Sequence, residues 1–332
     1  MDLDIGKERR QLQRDSWLHY PNIWNGKVEE ENRRQEPTIL VRYLVALHPK
    51  NNYQLSESIV EEARQYKDVI VLNMKEGKST TGKVPGGKGY WGIESEVGMS
   101  RKGYAWYCLA SQKYPKAKFI MKGDDDFFLR SVRYEQTLKT LPQERLYWGP
   151  VMKWGAKKGD PSKVFRFVGG MAVTMSSDLA RWIAGNKEIA KRYTAYRDKV
   201  AVSELPRGAP GAGGSDPDKL VDSKAYYKHF NMDHEDVMVA RMFYDFSVPH
   251  TIVKDCRFHD VHVGANVKPM SPRSIGIHHV KVHEYAELLK KYPDDNTTDH
   301  DWLPSSEKHY FLTLPPELPK NNDHGAVWAQ LC

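Results

Sequence analysis

Short apolar runs alternate along the chain with segments in which apolar residues recur at helical spacing. Residues 39–47 and 68–72 are predicted strands, and residues 55–66 between them are a predicted helix. A strand, a helix and a strand within about thirty residues indicate a βαβ unit with a right-handed crossover and parallel strands. The pattern therefore predicts an α/β fold.

The same criteria predict the remaining elements. Further strands are expected at residues 119–121, 147–151, 165–175, 253–263 and 274–282, and further helices at residues 7–17, 97–113, 177–182, 235–244 and 284–291. Glycine-rich segments at residues 75–92 and 207–218 are predicted loops. Because no internal repeat or linker is evident, residues 1–332 are interpreted as a single domain with a Pro-rich, mostly irregular tail at residues 293–332.

The most informative stretch is residues 118–128, where an apolar run leads into three consecutive aspartates and then into two phenylalanines. Asp124, Asp125 and Asp126 would stand at the carboxyl end of a buried strand, where open α/β sheets bind ligands. Mg²⁺ or Mn²⁺ would offset the repulsion between these carboxylates and keep positions open for phosphate. A solvated acidic turn is the alternative, but the apolar residues on both sides favour a metal site that holds a diphosphate.

Composition narrows the choice of partners. The chain has 332 residues, a formal net charge of +7 and a hydrophobic fraction of 40%, which suits a folded protein with an anionic partner. It has no concentrated Lys/Arg run and no nucleic-acid motif, so no nucleic-acid partner is expected. The 3 cysteines allow at most one disulfide, and no apolar stretch approaches the roughly 18 residues of a membrane span.

Two further groups of polar residues could converge with the aspartates. Glu235 and Asp236 begin a predicted helix, where a carboxylate could take a proton from a hydroxyl group, although the helix dipole alone also favours acids there. His278 and His279 lie on a predicted strand and should point to opposite faces, so only one of them is expected to reach the site as a metal ligand. Packing without a ligand is the alternative for either histidine. Together the three groups suit a metal-dependent group transfer.

Six short motifs follow one another in the order found in a known enzyme family. They are ERRQLQRD (8–15), GMSRK (98–102), KGDDD (122–126), YWG (147–149), NMDHEDVMV (231–239) and IHHV (277–280). On these motifs, which span most of the chain, the sequence resembles the β-1,3-galactosyl- and N-acetylglucosaminyltransferases of glycosyltransferase family thirty-one. Within that family it is most similar to the kinetoplastid transferases that use UDP-galactose or UDP-N-acetylglucosamine, including the phosphoglycan β-1,3-galactosyltransferases.

The resemblance implies a GT-A fold, which is a Rossmann-like mixed sheet flanked by helices. It also implies an inverting single displacement that forms a β-1,3 linkage, with Mn²⁺ as cofactor, UDP-galactose or UDP-N-acetylglucosamine as donor and a glycan as acceptor. Relatives are single-pass membrane proteins that face the Golgi lumen. A Golgi-lumen location is therefore expected, with membrane contact only through an anchor that this chain lacks.

The resemblance also assigns roles to individual residues. Asp126 and His278 would bind Mn²⁺, and Asp236 would be the base that deprotonates the acceptor hydroxyl group. The residues expected to bind the nucleotide-sugar are Arg10, Arg14, Lys102, Asp124 and Asp125. The residues expected to line the sugar and acceptor pocket are Gly170, Glu235 and Trp148.

Two kinds of rival function are compatible with the same residues. A metal-dependent phosphohydrolase or nucleotidyltransferase would use the same acidic cluster. An inactive or lectin-like relative would bind glycan without turnover and would need no nucleotide. Metal binding that cooperates with UDP would distinguish the transferase from the lectin.

Overall fold

The computed structural model describes residues 2–24, 37–84, 87, 89–155, 164–194, 199–201, 220–293 and 326–331. The helices in these ranges are α1 (Asp4–Arg14), α2 (Glu57–Tyr66), α3 (Ile93–Lys113), α4 (Ser131–Thr140), α5 (Ser177–Gly185), α6 (Lys187–Thr194), α7 (Ser223–His229), α8 (Glu235–Asp245) and α9 (Glu284–Lys291). The strands are β1 (Ile23–Trp24), β2 (Ile39–Leu40), β3 (Tyr43–Leu47), β4 (Val69–Lys75), β5 (Phe119–Gly123), β6 (Phe127–Leu129), β7 (Leu146–Gly149), β8 (Val151–Trp154), β9 (Phe165–Val168), β10 (Ala172–Ser176), β11 (Lys199–Ala201), β12 (Leu220–Asp222), β13 (His250–Lys254), β14 (Phe258–Asp260), β15 (Gly276–His278) and β16 (Ala326–Gln330). Mixed sheets flanked by helices confirm the predicted α/β fold class and are consistent with a GT-A-like fold.

Five strands form the central sheet, in the order β16-β13-β7-β10-β5. β7, β13 and β16 run parallel to one another, whereas β10 is antiparallel to both of its neighbours. Along β7, Tyr147 and Trp148 point to opposite faces because successive strand residues alternate. Each is fully buried in a different apolar cluster. The sheet is therefore covered on both faces, by residues of α3, α5 and α8 on one and of α4, β6 and β14 on the other.

A second sheet, β14-β15-β6, continues the chain beyond the end of β5. β15 is antiparallel to β6, with His278 opposite Phe127, and parallel to β14, with His278 opposite Asp260. The turn at residues 124–126 immediately precedes β6. These registers bring the acidic turn, the end of β14 and the end of β15, which are far apart in the sequence, next to one another.

The predicted βαβ unit is present, because β3 and β4 are parallel and α2 connects them. The hydroxyl oxygen of Ser56 caps α2 by accepting the Ile59 N–H at 3.2 Å. The strand-like run predicted at residues 165–175 forms two strands, β9 and β10. Gly169 and Gly170 separate them, because β9 pairs with β8 while β10 enters the central sheet.

The C-terminal tail departs from expectation at one place. It was predicted to be mostly irregular, but its residues 326–330 form β16, which pairs in parallel with β13 and buries Ala329. A short apolar strand can complete a sheet edge even in a polar, Pro-rich context. The rest of the tail from residue 294 to residue 325, like the predicted loop at residues 207–218, lies outside the described residues.

Two predictions concern the whole chain, namely at most one disulfide and no membrane-spanning segment. Cys108 is a free thiol and Cys256 is disulfide-bonded. None of the helices in the described ranges has both the length and the apolar character needed to cross a bilayer.

A buried charge cluster fixes α1 against the βαβ unit. Arg10 forms two 2.7 Å hydrogen bonds to the carboxylate of Glu62. Arg14 donates to Glu62 at 2.7 Å and twice to Asp68 at 2.8 Å. All four residues are buried. Two guanidinium groups and two carboxylates thus compensate each other in a region that water does not reach.

Replacing Glu62 with glutamine should therefore destabilise the protein strongly. The Glu62→Gln variant leaves two buried guanidinium groups with one carboxylate, and loss of one partner of a buried ion pair costs about 3–5 kcal/mol. Urea denaturation followed by circular dichroism measures the difference in unfolding free energy. Glu61→Gln is the matched control, because Glu61 lies on the exposed face of the same helix.

The same variant should change the response to acid. Burial alone would raise the pKa of Glu62, but hydrogen bonds from Arg10 and Arg14 outweigh it and lower the pKa. The stabilisation is present above the unfolded-state pKa and is lost as pH falls through the lowered folded-state pKa. Wild type should therefore lose more stability on acidification than Glu62→Gln, and an equal loss in both proteins would contradict this account.

Candidate active site and metal centre

The acidic turn lies between β5 and β6, at the carboxyl end of β5. Asp126 is buried, whereas the side chains of Asp124 and Asp125 remain 35% and 33% exposed. The backbone oxygen of Asp126 accepts the N–H of Val280 at 3.1 Å, which holds the turn against the segment that follows β15. The buried carboxylate is thus oriented toward the histidines, and the other two face the open cleft that all three aspartates line.

His278 lies in the middle of the carboxylates. Its Nε2 atom is 3.1 Å from Asp126 Oδ1 and 3.3 Å from Asp124 Oδ2, and its Nδ1 atom is 2.8 Å from Asp260 Oδ1. Burial alone would lower the pKa of His278, but hydrogen bonds to the surrounding carboxylates outweigh it and raise the pKa to about 11. With Asp260 accepting from Nδ1–H, the Nε2 atom is the one directed at Asp124 and Asp126. This carboxylate–histidine arrangement is the one that orients metal-ligating imidazoles.

His279 does not point to the opposite face from His278, and that prediction was wrong. β15 ends at His278, and His279 has a left-handed backbone with φ of +60°, so the strand alternation no longer applies. The two imidazole rings lie next to each other, with centroids 3.9 Å apart and planes tilted by 35°. Asp126, His278 and His279 each offer one potential ligand atom, and these three atoms all lie within 4.8 Å of one another. This donor set fits a divalent cation.

Lys122 links the acidic turn to the start of α8. Its Nζ atom donates to Asp124 Oδ1 at 2.6 Å, to the Gly170 backbone oxygen at 2.8 Å and to Glu235 Oε2 at 2.9 Å. Burial would lower the pKa of Lys122, but the two carboxylates raise it, so the ammonium group stays charged. A methyl group at position 170 would lie only 3.3 Å from this Nζ atom, so glycine keeps the backbone close to the lysine.

Glu235 and Asp236 begin α8 and face the same cleft. Asp236 Oδ2 accepts the Gly170 N–H at 3.4 Å, and its Oδ1 accepts the Val237 N–H at 2.8 Å. Burial raises the pKa of Asp236, with Lys122 opposing the rise. Burial also raises the pKa of Glu235 to about 7, against Lys122 and with the nearby negative charges adding to the rise. Glu235 is thus poised to exchange a proton near neutral pH, and Asp236 is a stronger proton acceptor than an exposed aspartate.

The predicted nucleotide-binding residues separate into two groups. Lys102 lines the cleft, where its Nζ atom donates to Glu76. Arg10 and Arg14 instead direct their guanidinium groups at Glu62 and Asp68 and not at the acidic turn of residues 124–126.

Arg9, next in the chain to Arg10, reaches the acidic turn. Its Nη1 atom is 2.8 Å from Asp125 Oδ1 and 3.8 Å from Asp126 Oδ2. The amide of Gln13, on the same face of α1, donates to the backbone oxygen of Asp125 at 3.0 Å. α1 therefore contacts the turn through residues that the sequence did not single out.

Trp148 lies in the core rather than in the cleft lining. It is fully buried, its Nε1 atom donates to Asp255 Oδ2 at 3.1 Å, and its ring stacks on Tyr134 with centroids 5.1 Å apart. Glycine at position 149 has φ of +152°, and the chain returns to the cleft at Pro150 and Val151. Trp148 thus supports the sheet beneath the site.

Sequence reasoning missed four residues that contribute to the site. Lys122 and Arg9 belong to two of the six sequence motifs, but the sequence around a single basic residue does not show which carboxylate it will pair with. Asp260 lies within a predicted strand between His259 and His262, a polar pattern that could have marked it as the partner of His278. His279 was discounted because the end of β15 could not be located to one residue from sequence.

Comparison with known proteins gives a distant similarity. No family model matches the chain. Over 203 residues the chain is 25% identical to a protein of Arabidopsis thaliana described as probable beta-1,3-galactosyltransferase 5, and this match covers 56% of the chain. The chain spans 45% of the length of that relative.

The arrangement around His278 predicts that Asp260 controls metal affinity. Asp260→Asn would remove the carboxylate that orients the imidazole, and loss of such an outer partner weakens metal binding about 10–100-fold. Isothermal titration of the metal-free protein with Mn²⁺ measures the change. Asp15→Asn, at an exposed position, should bind as wild type does, and an unchanged affinity in Asp260→Asn would show that Asp260 does not support a metal ligand.

Proposed function

We propose that this chain is an inverting, metal-dependent glycosyltransferase that moves a hexose from UDP-galactose or UDP-N-acetylglucosamine to a glycan, forming a β-1,3 linkage. The observation that carries the proposal is the convergence in one cleft of the Asp126–His278 pair with a carboxylate, Asp236, whose pKa is raised. The distant similarity to a probable β-1,3-galactosyltransferase supports it. We also propose a location in the Golgi lumen, and this rests on the sequence resemblance alone.

Asp126 and His278 are the residues that would hold the cation. Their donor atoms are 3.1 Å apart, and the second ring nitrogen of His278 is held by Asp260. A divalent cation such as Mn²⁺, bound there, supplies positive charge that stabilises the diphosphate leaving group. Asp124 and Asp125 are more exposed and lie beside this position, so they would hold the nucleotide and water near the cation.

The basic residues of the site have separate tasks. Lys102 and Arg9 line the cleft and can approach an anionic donor. Arg10 and Arg14 hold α1 against α2 and β4 through Glu62 and Asp68, and this fixes the position of Arg9. We therefore assign Arg10 and Arg14 a positioning role in place of direct contact with UDP.

Asp236 is the proposed base. The acceptor oxygen attacks the anomeric carbon, the bond from that carbon to the UDP oxygen breaks, and the hydroxyl proton passes to Asp236. The Gly170 N–H and the Val237 N–H hold the two carboxylate oxygens, so the group is oriented before the acceptor arrives. A raised pKa makes it a stronger proton acceptor at neutral pH than an exposed aspartate.

Lys122 reduces the electrostatic repulsion between the proposed base and the neighbouring carboxylates. Asp124, Glu235 and Asp236 would repel one another in the partly buried cleft, and the single ammonium group of Lys122 bonds the first two directly. Glu235 and Gly170 both line the cleft. We assign both to the sugar and acceptor pocket.

Asp236→Asn should abolish transfer but leave UDP binding nearly intact. General-base catalysis contributes about 10²–10⁴ in rate, and the amide cannot take up the proton. Release of UDP from UDP-galactose and from UDP-N-acetylglucosamine, with and without a panel of glycan acceptors, measures the rate, and calorimetry with UDP and Mn²⁺ measures binding.

Three results of this experiment would lead to different conclusions. Equal loss of binding and transfer would make Asp236 structural. UDP-sugar breakdown that no acceptor accelerates would favour a hydrolase, and glycan binding without nucleotide would favour a lectin. Asp178→Asn, at the start of α5, controls for a general effect of losing a carboxylate at a helix start.

The pH profile gives a further prediction. Asp236 must be unprotonated to act, so kcat should fall as pH falls through its raised pKa. In Glu235→Gln the adjacent negative charge is lost, which lowers the pKa of Asp236 and moves the acid limb of the profile to lower pH. Measurement of kcat from about pH 5 to about pH 9 tests this. Glu287→Gln, an exposed position on α9, should reproduce the wild-type profile; a Glu235→Gln limb that does not move would exclude the coupling.

A further inference from the structure

The backbone at His279 is unusual. Its φ is +60°, in a region that residues other than glycine enter rarely, and β15 ends one residue earlier. Such a conformation costs energy, and the surrounding structure must hold it in place. Here the result is specific: the His279 ring is turned onto the same side as the His278 ring instead of away from it.

The His279 ring also carries a buried nitrogen that makes no well-formed hydrogen bond. Its Nδ1 atom is buried and makes no hydrogen bond, although it lies 3.2 Å from Asp260 Oδ1. Asp260 therefore lies beside Nδ1 of both neighbouring imidazoles, bonded to His278 and close to His279. A buried nitrogen without a well-formed hydrogen bond is costly, and Asp260 Oδ1 already accepts from His278, so the His279 ring can gain from a further interaction.

We propose that His279 is a third protein ligand of the cation, so that one carboxylate, Asp126, and two imidazoles, His278 and His279, hold it together. The donor atoms of these residues already lie within 4.8 Å of one another. They come from the acidic turn and from the end of β15, which the Val280 N–H bond to the Asp126 backbone ties together. The inference rests on the metal centre of the proposed function and adds a ligand to it.

The added imidazole changes which metal the site prefers. Mg²⁺ favours oxygen ligands and an octahedral shell, and it gains little from a second nitrogen. Co²⁺ binds imidazole well, and two histidines with one carboxylate form a set that leaves positions open for other ligands. The site should therefore bind Co²⁺ much more tightly than Mg²⁺, and His279 should account for a large part of that difference.

The test variant should remove the imidazole without disturbing the backbone. His279→Asn does so, because asparagine tolerates the left-handed conformation that position 279 adopts. His283→Asn is the matched control, since His283 is an exposed histidine four positions further along the same segment. Thermal unfolding without metal establishes that each variant is folded.

Titration of the full, metal-free chain with Co²⁺ and with Mg²⁺ then decides the matter. We expect His279→Asn to bind Co²⁺ about 10–100-fold more weakly than wild type and Mg²⁺ with nearly the same affinity. The visible absorption spectrum of bound Co²⁺ should also change, and His283→Asn should match wild type in every measurement. Co²⁺ affinity and spectrum unchanged in His279→Asn would overturn the proposal, and so would an equal loss of affinity for both metals.

These measurements are independent of sugar transfer. A wild-type chain that binds Co²⁺ through His279 but releases no UDP from either UDP-sugar would overturn the proposed function and leave the ligand assignment standing. If the wild-type chain transfers sugar and His279→Asn binds Co²⁺ as wild type does, the proposed function stands and the ligand assignment is overturned. The two proposals therefore fail in distinguishable ways.

Discussion

The concentration of carboxylates around one cleft is the constraint on which the rest of the structure depends. Asp124 and Asp126 at the end of β5, Asp260 at the end of β14 and Glu235 at the start of α8 converge there. In a partly buried region such charges repel one another strongly unless cations lie between them. Among the described residues, Arg9 and Lys122 supply positive charge at short range, and in the absence of a metal ion the protonated imidazole of His278 adds to it.

The sheets explain why these groups meet. β10 is antiparallel to β5, and Gly170, just before β10, accepts a hydrogen bond from Lys122. β15 is antiparallel to β6 and places His278 opposite Phe127, next to the acidic turn. β14 then places Asp260 behind the imidazole. Each contact follows from strand register, and a shift of one residue in β15 would turn His278 away from the turn. The precision of the site is therefore a property of the backbone pairing.

The part of this arrangement that the sequence could predict is the part governed by local pattern. The apolar run before Asp124, the helix that begins at Glu235 and the βαβ unit follow from periodicity and from helix-start signals. Contacts between distant segments, such as Arg14 with Asp68, depend on packing that local pattern does not encode. The left-handed turn at His279 has no sequence signal either, because histidine also fits the strand that the pattern predicts.

Lys122 makes the two halves of the site interdependent. One ammonium group bonds Asp124, on the side of the proposed metal and nucleotide, and Glu235, beside the proposed base. Any change in charge at the acidic turn alters how strongly Lys122 stabilises ionised Glu235, and Glu235 in turn acts on Asp236. The coupling passes through contiguous hydrogen bonds and needs no movement of the backbone. Occupation of the donor side should therefore adjust the basicity of Asp236 before an acceptor is bound.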